Sequence, residues 1–393
     1  METIAYKKIK LNDDIIKKFE ILRVFKYRQA ITKNMVWNDT GDTLLTSSAN
    51  DSITIYNLLK KNSIKTLQSK NCGVDVVRFL NNNDDVVVCS TNSNNTEYKQ
   101  FLRFWNIKEN KYIKSLPQMG NICKKNGISI NKNKKLILVN SDDGHVKLYY
   151  FNCDYPLIVY ISDFKRPVSA FDHEGNVFIA SYGKKKIHFY DLLMYDRGEY
   201  NVVSLQNYMD SEEFITNFSF TPNNKYIIVS TNKNNHFSIY SNSGQYKCSY
   251  KYPQPLNYTD TGTTQNKSNS YIYKEGKNKN FEKEMFDRNR HHKDDRQYQD
   301  DNFTNHNKSN KILQNKTSPI FIPTITPDGQ YVMCGWEDCG VHIWNENGNH
   351  VTTLYDHAGP PDNVTFNPKC SILASSKNKS KSCLNVALWQ PVI

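Results

Sequence analysis

Residue types able to do acid–base, metal or anion chemistry are scattered along this chain, and their spacing limits what they can do. His291-His292, Lys293 and Asp294-Asp295 gather metal-ligating types. A metal needs ligands held in fixed geometry, and this cluster falls in a polar stretch expected to be unfolded. Asp172-His173-Glu174 offers an acid–base trio, but it stands directly ahead of Gly175 between apolar runs, where a turn is the expected role. Asp356-His357 is expected to make stabilising polar contacts. No Walker-type phosphate loop, no Gly-x-Gly-x-x-Gly after a strand, no Gly-x-Ser-x-Gly and no His-Glu-x-x-His occurs. The expectation is a protein without catalysis, cofactor or resident metal.

Three features suit binding instead. Phe164-Lys165-Arg166 sets an aromatic beside two cations, a combination that suits a phosphorylated or acidic peptide. Trp336, between Gly335 and Glu337, is a large aromatic in a turn and a candidate peptide anchor. Arg103 is a weaker candidate, because its place in an expected strand equally suits a plain solvent-facing side chain.

These residues must be positioned by a fold, and the composition narrows its class. Hydrophobic residues make up 38% and mean hydropathy is -0.69, so part of the chain is expected to stay unfolded. Aromatics reach 12%, which favours strands. The net charge of +12 invites an acidic partner. Scattered lysines, however, read more simply as solvated faces than as a nucleic-acid patch. Nine cysteines occur without a Cys-x-x-Cys pair. That argues against a zinc site or a disulfide framework and for a reducing compartment. The first residues lack an apolar leader core, and no apolar run approaches a membrane span, so neither secretion nor a membrane is expected.

A repeat decides the architecture. An apolar residue, any residue, a second apolar residue and then an aromatic recur seven times. The copies are Ile53-Thr-Ile-Tyr56, Leu102-Arg-Phe-Trp105, Val146-Lys-Leu-Tyr149, Ile187-His-Phe-Tyr190, Phe237-Ser-Ile-Tyr240, Val341-His-Ile-Trp344 and Val386-Ala-Leu-Trp389. Successive aromatics lie 49, 44, 41, 50, 104 and 45 residues apart. That is close to the roughly 40 to 45 residues of a WD-repeat blade, with one interval holding an insertion. A four-stranded unit with two apolar faces cannot bury both alone, so such units stack in a ring. The expected fold is an all-β, seven-bladed WD-repeat β-propeller, with Phe19 to Phe25 as the strand that closes the last blade. The blades are degenerate, since only Asp191 follows its aromatic as in the WD dipeptide.

Blades one to five are expected over 14–252 and blades six and seven over 317–391. Between them, 253–316 is rich in Asn, Lys, Asp and Gln and poor in aliphatics. It is expected to be a disordered low-complexity insertion. It carries twelve Lys and Arg against nine Asp and Glu, a net of +3, so it is no basic arm.

Several stretches resemble one family beyond what blade geometry demands. They include Cys72-Gly-Val-Asp-Val-Val-Arg78, Arg166-Pro-Val-Ser-Ala-Phe-Asp-His-Glu-Gly175, Phe366-Asn-Pro-Lys369 and Leu388-Trp-Gln-Pro391. Together they are similar to the WD-repeat subunit shared by COMPASS-type histone-lysine methyltransferase complexes and by RNA 3′-end-processing or phosphatase complexes. The resemblance implies a nuclear, non-catalytic adaptor, monomeric within a larger complex. Its implied partners are a SET-domain methyltransferase scaffold, a 3′-end-processing or phosphatase-targeting scaffold, and the phosphorylated tail of RNA polymerase II. The alternative reading is a propeller that binds RNA through its basic surface in mRNA processing; steep salt dependence would mark it.

Overall fold

A computed structural model describes residues 9–27, 31–58, 64–69, 73–80, 85–89, 100–118, 120–123, 127–161, 166–253, 320–355, 357, 359–377 and 384–392. The chain divides into two units, Met1–Pro253 with Ser318–Ile393, and Gln254–Thr317; every described residue lies in the first. From residue 254 onward, the expected insertion lies outside the described residues.

Alternating apolar residues and Gly or Asn turns produce antiparallel hairpins throughout. Among the described residues these assemble into seven four-stranded sheets. In chain order they span 32–68, 77–118, 128–161, 168–204, 215–250 and 324–354. The seventh joins 363–391 to the N-terminal strand Phe19–Tyr27. That strand pairs antiparallel with Leu384–Pro391, from Phe19 opposite Pro391 to Phe25 opposite Val386. Chain ends far apart in sequence therefore share one sheet, which ties the ring and covers an edge.

The core is distributed between the sheets. Seven apolar clusters occur, one for each pair of neighbouring sheets, including the pair that joins the seventh to the first through Trp37, Tyr56, Val386 and Leu388. The repeat explains this, because successive strand residues face opposite ways. Val146 and Leu148 pack toward the fourth sheet, and the next residue, Tyr149, toward the second. Val341 and Ile343 face the seventh sheet while Trp344 faces the fifth.

The fifth sheet departs from the register read in the sequence. Its ladder places Ile239 opposite Tyr246, with a bulge after Ser238, as Trp344 lies opposite His350 with a bulge after Ile343. Ile239 therefore holds the blade-aromatic position, and Tyr240 follows it at the turn. The signature assigned to Phe237–Tyr240 is offset by one residue, and the residue facing the next sheet at its start is the buried His236.

Candidate functional site

In each sheet the starts of the first and third strands and the ends of the second and fourth share one end. The bonds between neighbouring sheets join like ends: Ser169 donates to Asn140 Oδ1, and Cys334 Sγ lies 3.5 Å from His236 Nε2. One end therefore carries the turn 336–340 and the entries to the first strands, including the connection that contains Arg166 and both ends of the segment 254–319.

Arg166 is exposed there, directly before Pro167, with φ 78, a left-handed conformation. Phe164 and Lys165 lie outside the described residues. Trp336 opens a turn closed by Trp336 N–H to Gly340 O at 3.0 Å. It is half-buried among rings: Tyr252 stacks at 5.4 Å and Phe321 at 6.3 Å, with His236 and His342 edge-on. Tyr252 and Phe321, far apart in sequence, thus meet on Trp336.

A polar network underlies that cluster. Burial raises the Asp338 carboxyl, but hydrogen bonds from His342, the Gly340 N–H and Tyr252 outweigh it and hold the group below its ordinary value. His342 Nε2 lies 2.9 Å from Asp338 Oδ2, and Thr353 Oγ1 lies 2.9 Å from both His342 Nδ1 and His350 Nε2.

Arg103 belongs to a different sheet, the one spanning 77–118. Its guanidinium packs 5.1 Å from the Phe101 ring and 5.3 Å from the Tyr112 ring, and its Nη1 is buried. The cation is held by its own sheet and does not reach freely into solvent. Of the histidines singled out in the sequence, His173 and His357 make structural contacts, and Asp356 lies outside the described residues. His173 N–H donates to Asn224 Oδ1 and its ring meets Phe220 O at 3.1 Å, bracing a turn against the fifth sheet. His357 Nε2 meets Ser375 Oγ at 2.9 Å, and Trp389 Nε1–H donates to the same oxygen at 2.7 Å. Burial, then Lys377, lowers the His357 imidazole to about 4. His291 and His292 lie outside the described residues, and among the described residues no three His, Cys, Asp or Glu are grouped to hold a metal.

The first strands of all seven sheets line an axial channel of about 450 Å³, with Asn34, Arg78, Ser129, Asn217, Thr324 and Thr365 in its wall. Arg78 Nη1 donates to Asn34 Oδ1 and Val77 O, both at 2.8 Å; burial lowers the guanidinium to about 10, still cationic at neutral pH. At the opposite end from Arg166 and Trp336, a groove of about 570 Å³ lies between the third and fourth sheets. Leu136, Leu157, Val177 and Leu192 line it, with Leu193, Met194 and Tyr200 exposed along the connection 192–200. Sequence reasoning passed over this groove. Its signal was Leu192-Leu193-Met194 directly after a blade aromatic and Asp191, where the sixth sheet has the polar turn Asn345–Asn349.

A ring of four-stranded sheets around a polar channel, each pair of neighbours sealed by an apolar cluster, defines a β-propeller. No family model matches the chain. Its relatives are WD-repeat proteins. It is 27% identical to "WD repeat-containing protein 82" of Drosophila melanogaster over 389 residues, 98% of each chain. It is 26% identical to "Set1 complex component swd2" of Schizosaccharomyces pombe over 54% of this chain and 57% of that one. It is 22% identical to "COMPASS component SWD2" of Saccharomyces cerevisiae over 60% of this chain and 70% of that one.

Proposed function

We propose that this propeller is a non-catalytic adaptor subunit of a nuclear, COMPASS-type histone-lysine methyltransferase complex, in which it binds peptide segments of its partners. The observation that carries the reading is the similarity along 98% of the chain to one WD-repeat relative, joined by two relatives whose names place them in Set1 and COMPASS assemblies. In this reading 14–252 and 317–391 form one propeller, with 253–316 as an insertion between its fifth and sixth blades. The end that carries the turn 336–340 supplies a partner contact through Phe164, Lys165, Arg166 and Trp336. A rigid ring suits this role, because segments docked on it lose little to rearrangement of the receptor.

The same subunit joins 3′-end-processing or phosphatase-targeting scaffolds and engages the phosphorylated tail of RNA polymerase II. Affinity purification of the tagged chain from nuclear extract, with mass spectrometry, tests the assignment. Recovery of a SET-domain methyltransferase in near-stoichiometric amount is expected, with Arg166→Glu reducing recovery of phosphorylated partners. Recovery of RNA and RNA-processing factors alone, with steep loss in salt, would refute it in favour of direct RNA binding.

A further inference from the structure

We propose that the corner of the sixth sheet beside Trp336 binds a cationic side chain, a lysine or arginine of a partner segment, on the Asp338 carboxylate between Tyr252 and Tyr355. The inference rests on the adaptor reading and names the chemistry of what docks at that end. Aromatic rings grouped around a carboxylate recognise an ammonium or guanidinium through ring-face attraction and charge-assisted hydrogen bonds. Here Tyr355 is 56% exposed and Tyr252 37%, and the Asp338 side chain between them is 20% exposed. The Tyr252 hydroxyl donates to Asp338 Oδ2 at 3.2 Å. On the other side Gly340 lets Tyr355 approach, since the point where a Cβ would stand lies 3.1 Å from Tyr355 Cε1 and 3.2 Å from Asp338 Oδ1. Oδ1 accepts the Gly340 N–H at 3.0 Å and keeps a second lone pair for a donor from outside.

The charges at this corner favour a cation. Burial works against the Asp338 charge, but its hydrogen bonds outweigh burial, so the group is ionised at neutral pH. Its field reaches Tyr355, whose phenol is pushed up by burial and then by Asp338. Glu337, next to it in the turn, is exposed, and its side chain forms no hydrogen bond or ion pair with the described residues. Lys377, the cation whose charge reaches Cys339 in the same turn, is itself buried. Lys251 is exposed beside Tyr252, so two carboxylates stand against one exposed lysine. The chain as a whole carries +12, and a basic segment retained here is therefore held by this corner and not by general attraction.

The test uses the whole chain and fluorescence anisotropy. The probe is a short fluorescein-labelled peptide of glycine and serine around a pair of arginines. Lysine replaces arginine in a second peptide, and uncharged citrulline replaces it in a third. Saturable binding of the arginine and lysine peptides is expected, with the citrulline peptide weaker by roughly tenfold or more. Tyr355→Ala weakens arginine binding roughly threefold to fivefold, whereas Tyr355→Phe keeps the ring and the affinity. Asp338→Asn weakens it roughly tenfold or more. The thermal midpoint checks that this variant folds, and if it does not, Tyr355→Ala with Glu337→Gln carries the test. Tyr155→Ala, an exposed tyrosine on the third sheet, leaves binding unchanged. No saturable binding, equal binding of the citrulline peptide, or indifference to Tyr355→Ala and folded Asp338→Asn would overturn the proposal. Methyltransferase recovery by the wild-type chain without binding of the arginine peptide would sink this corner and leave the adaptor. Peptide binding without recovery would do the reverse.

Discussion

Replacing Ser375 by alanine should cost this propeller far more stability than a missing hydroxyl suggests. Ser375 is fully buried in the seventh sheet, and its oxygen serves two neighbours, Trp389 Nε1 at 2.7 Å and His357 Nε2 at 2.9 Å. An indole N–H can only donate, so the serine oxygen accepts it and sends its own proton to the imidazole. His357 then carries its proton on Nδ1, in keeping with a ring held neutral down to about pH 4. Ser375→Ala leaves a buried donor and a buried acceptor without partners, each costing about 1 to 3 kcal/mol. The expected loss is about 3 kcal/mol, read as a lowered urea midpoint at unchanged slope. In a Trp389→Phe background only the histidine is orphaned, so the same change should cost at least about 1 kcal/mol less. A single-mutant loss below about 0.5 kcal/mol, or full additivity, would refute the shared-hydroxyl reasoning.

Other perturbations follow from the same geometry. Burial lowers the His236 imidazole from 6.5 to about 4, and burial with Lys377 does the same to His357. The unfolded chain therefore takes up these protons first. Stability present above pH 6.5 should fall as pH drops toward 4, by up to about 3 kcal/mol per ring, and His236→Phe should blunt the slope in pH-dependent denaturation. Gly175 has φ +75, and a Cβ there would stand 2.5 Å from the Asn131 amide, whose Nδ2–H donates to Gly175 O. Gly175→Ala should lower stability by about 2 kcal/mol, and an unchanged melting curve would contradict the close approach. Deleting residues 1–27 removes the strand paired with Leu384–Pro391, so the seventh sheet gains an open edge. Size-exclusion chromatography should show association or loss of the folded species, whereas a stable monomer would mean that the ring closes without its N-terminal strand.

The all-β class, the repeat and the closing strand were legible because they depend on local pattern. Turn residues and paired apolar faces recur at the period of one blade wherever sheets must stack. The fifth sheet shows where pattern runs out. Phe237 and Tyr240 are both aromatic, and with both faces of a blade apolar, a shift of one residue still reads as a good strand. The ladder to Tyr246 and the packing of neighbouring sheets decide that Ile239 takes the aromatic position and that His236 is buried.

The candidate sites divide in the same way. Composition and motif spacing alone pointed away from a catalytic site, and to Arg166 and Trp336 as residues worth placing. Only the tertiary structure showed Trp336 among Tyr252, Phe321, His236 and His342, partners brought from three separate stretches of chain. Only the ring puts Lys134, from one sheet, in the same concavity as Leu193 and Arg197 from the next. The sequence by itself determined which residues form strands and turns, because those preferences act over a few neighbours along the backbone. Which side chains meet across the seams was decided by how the sheets close on one another, since those contacts join residues tens to hundreds of positions apart.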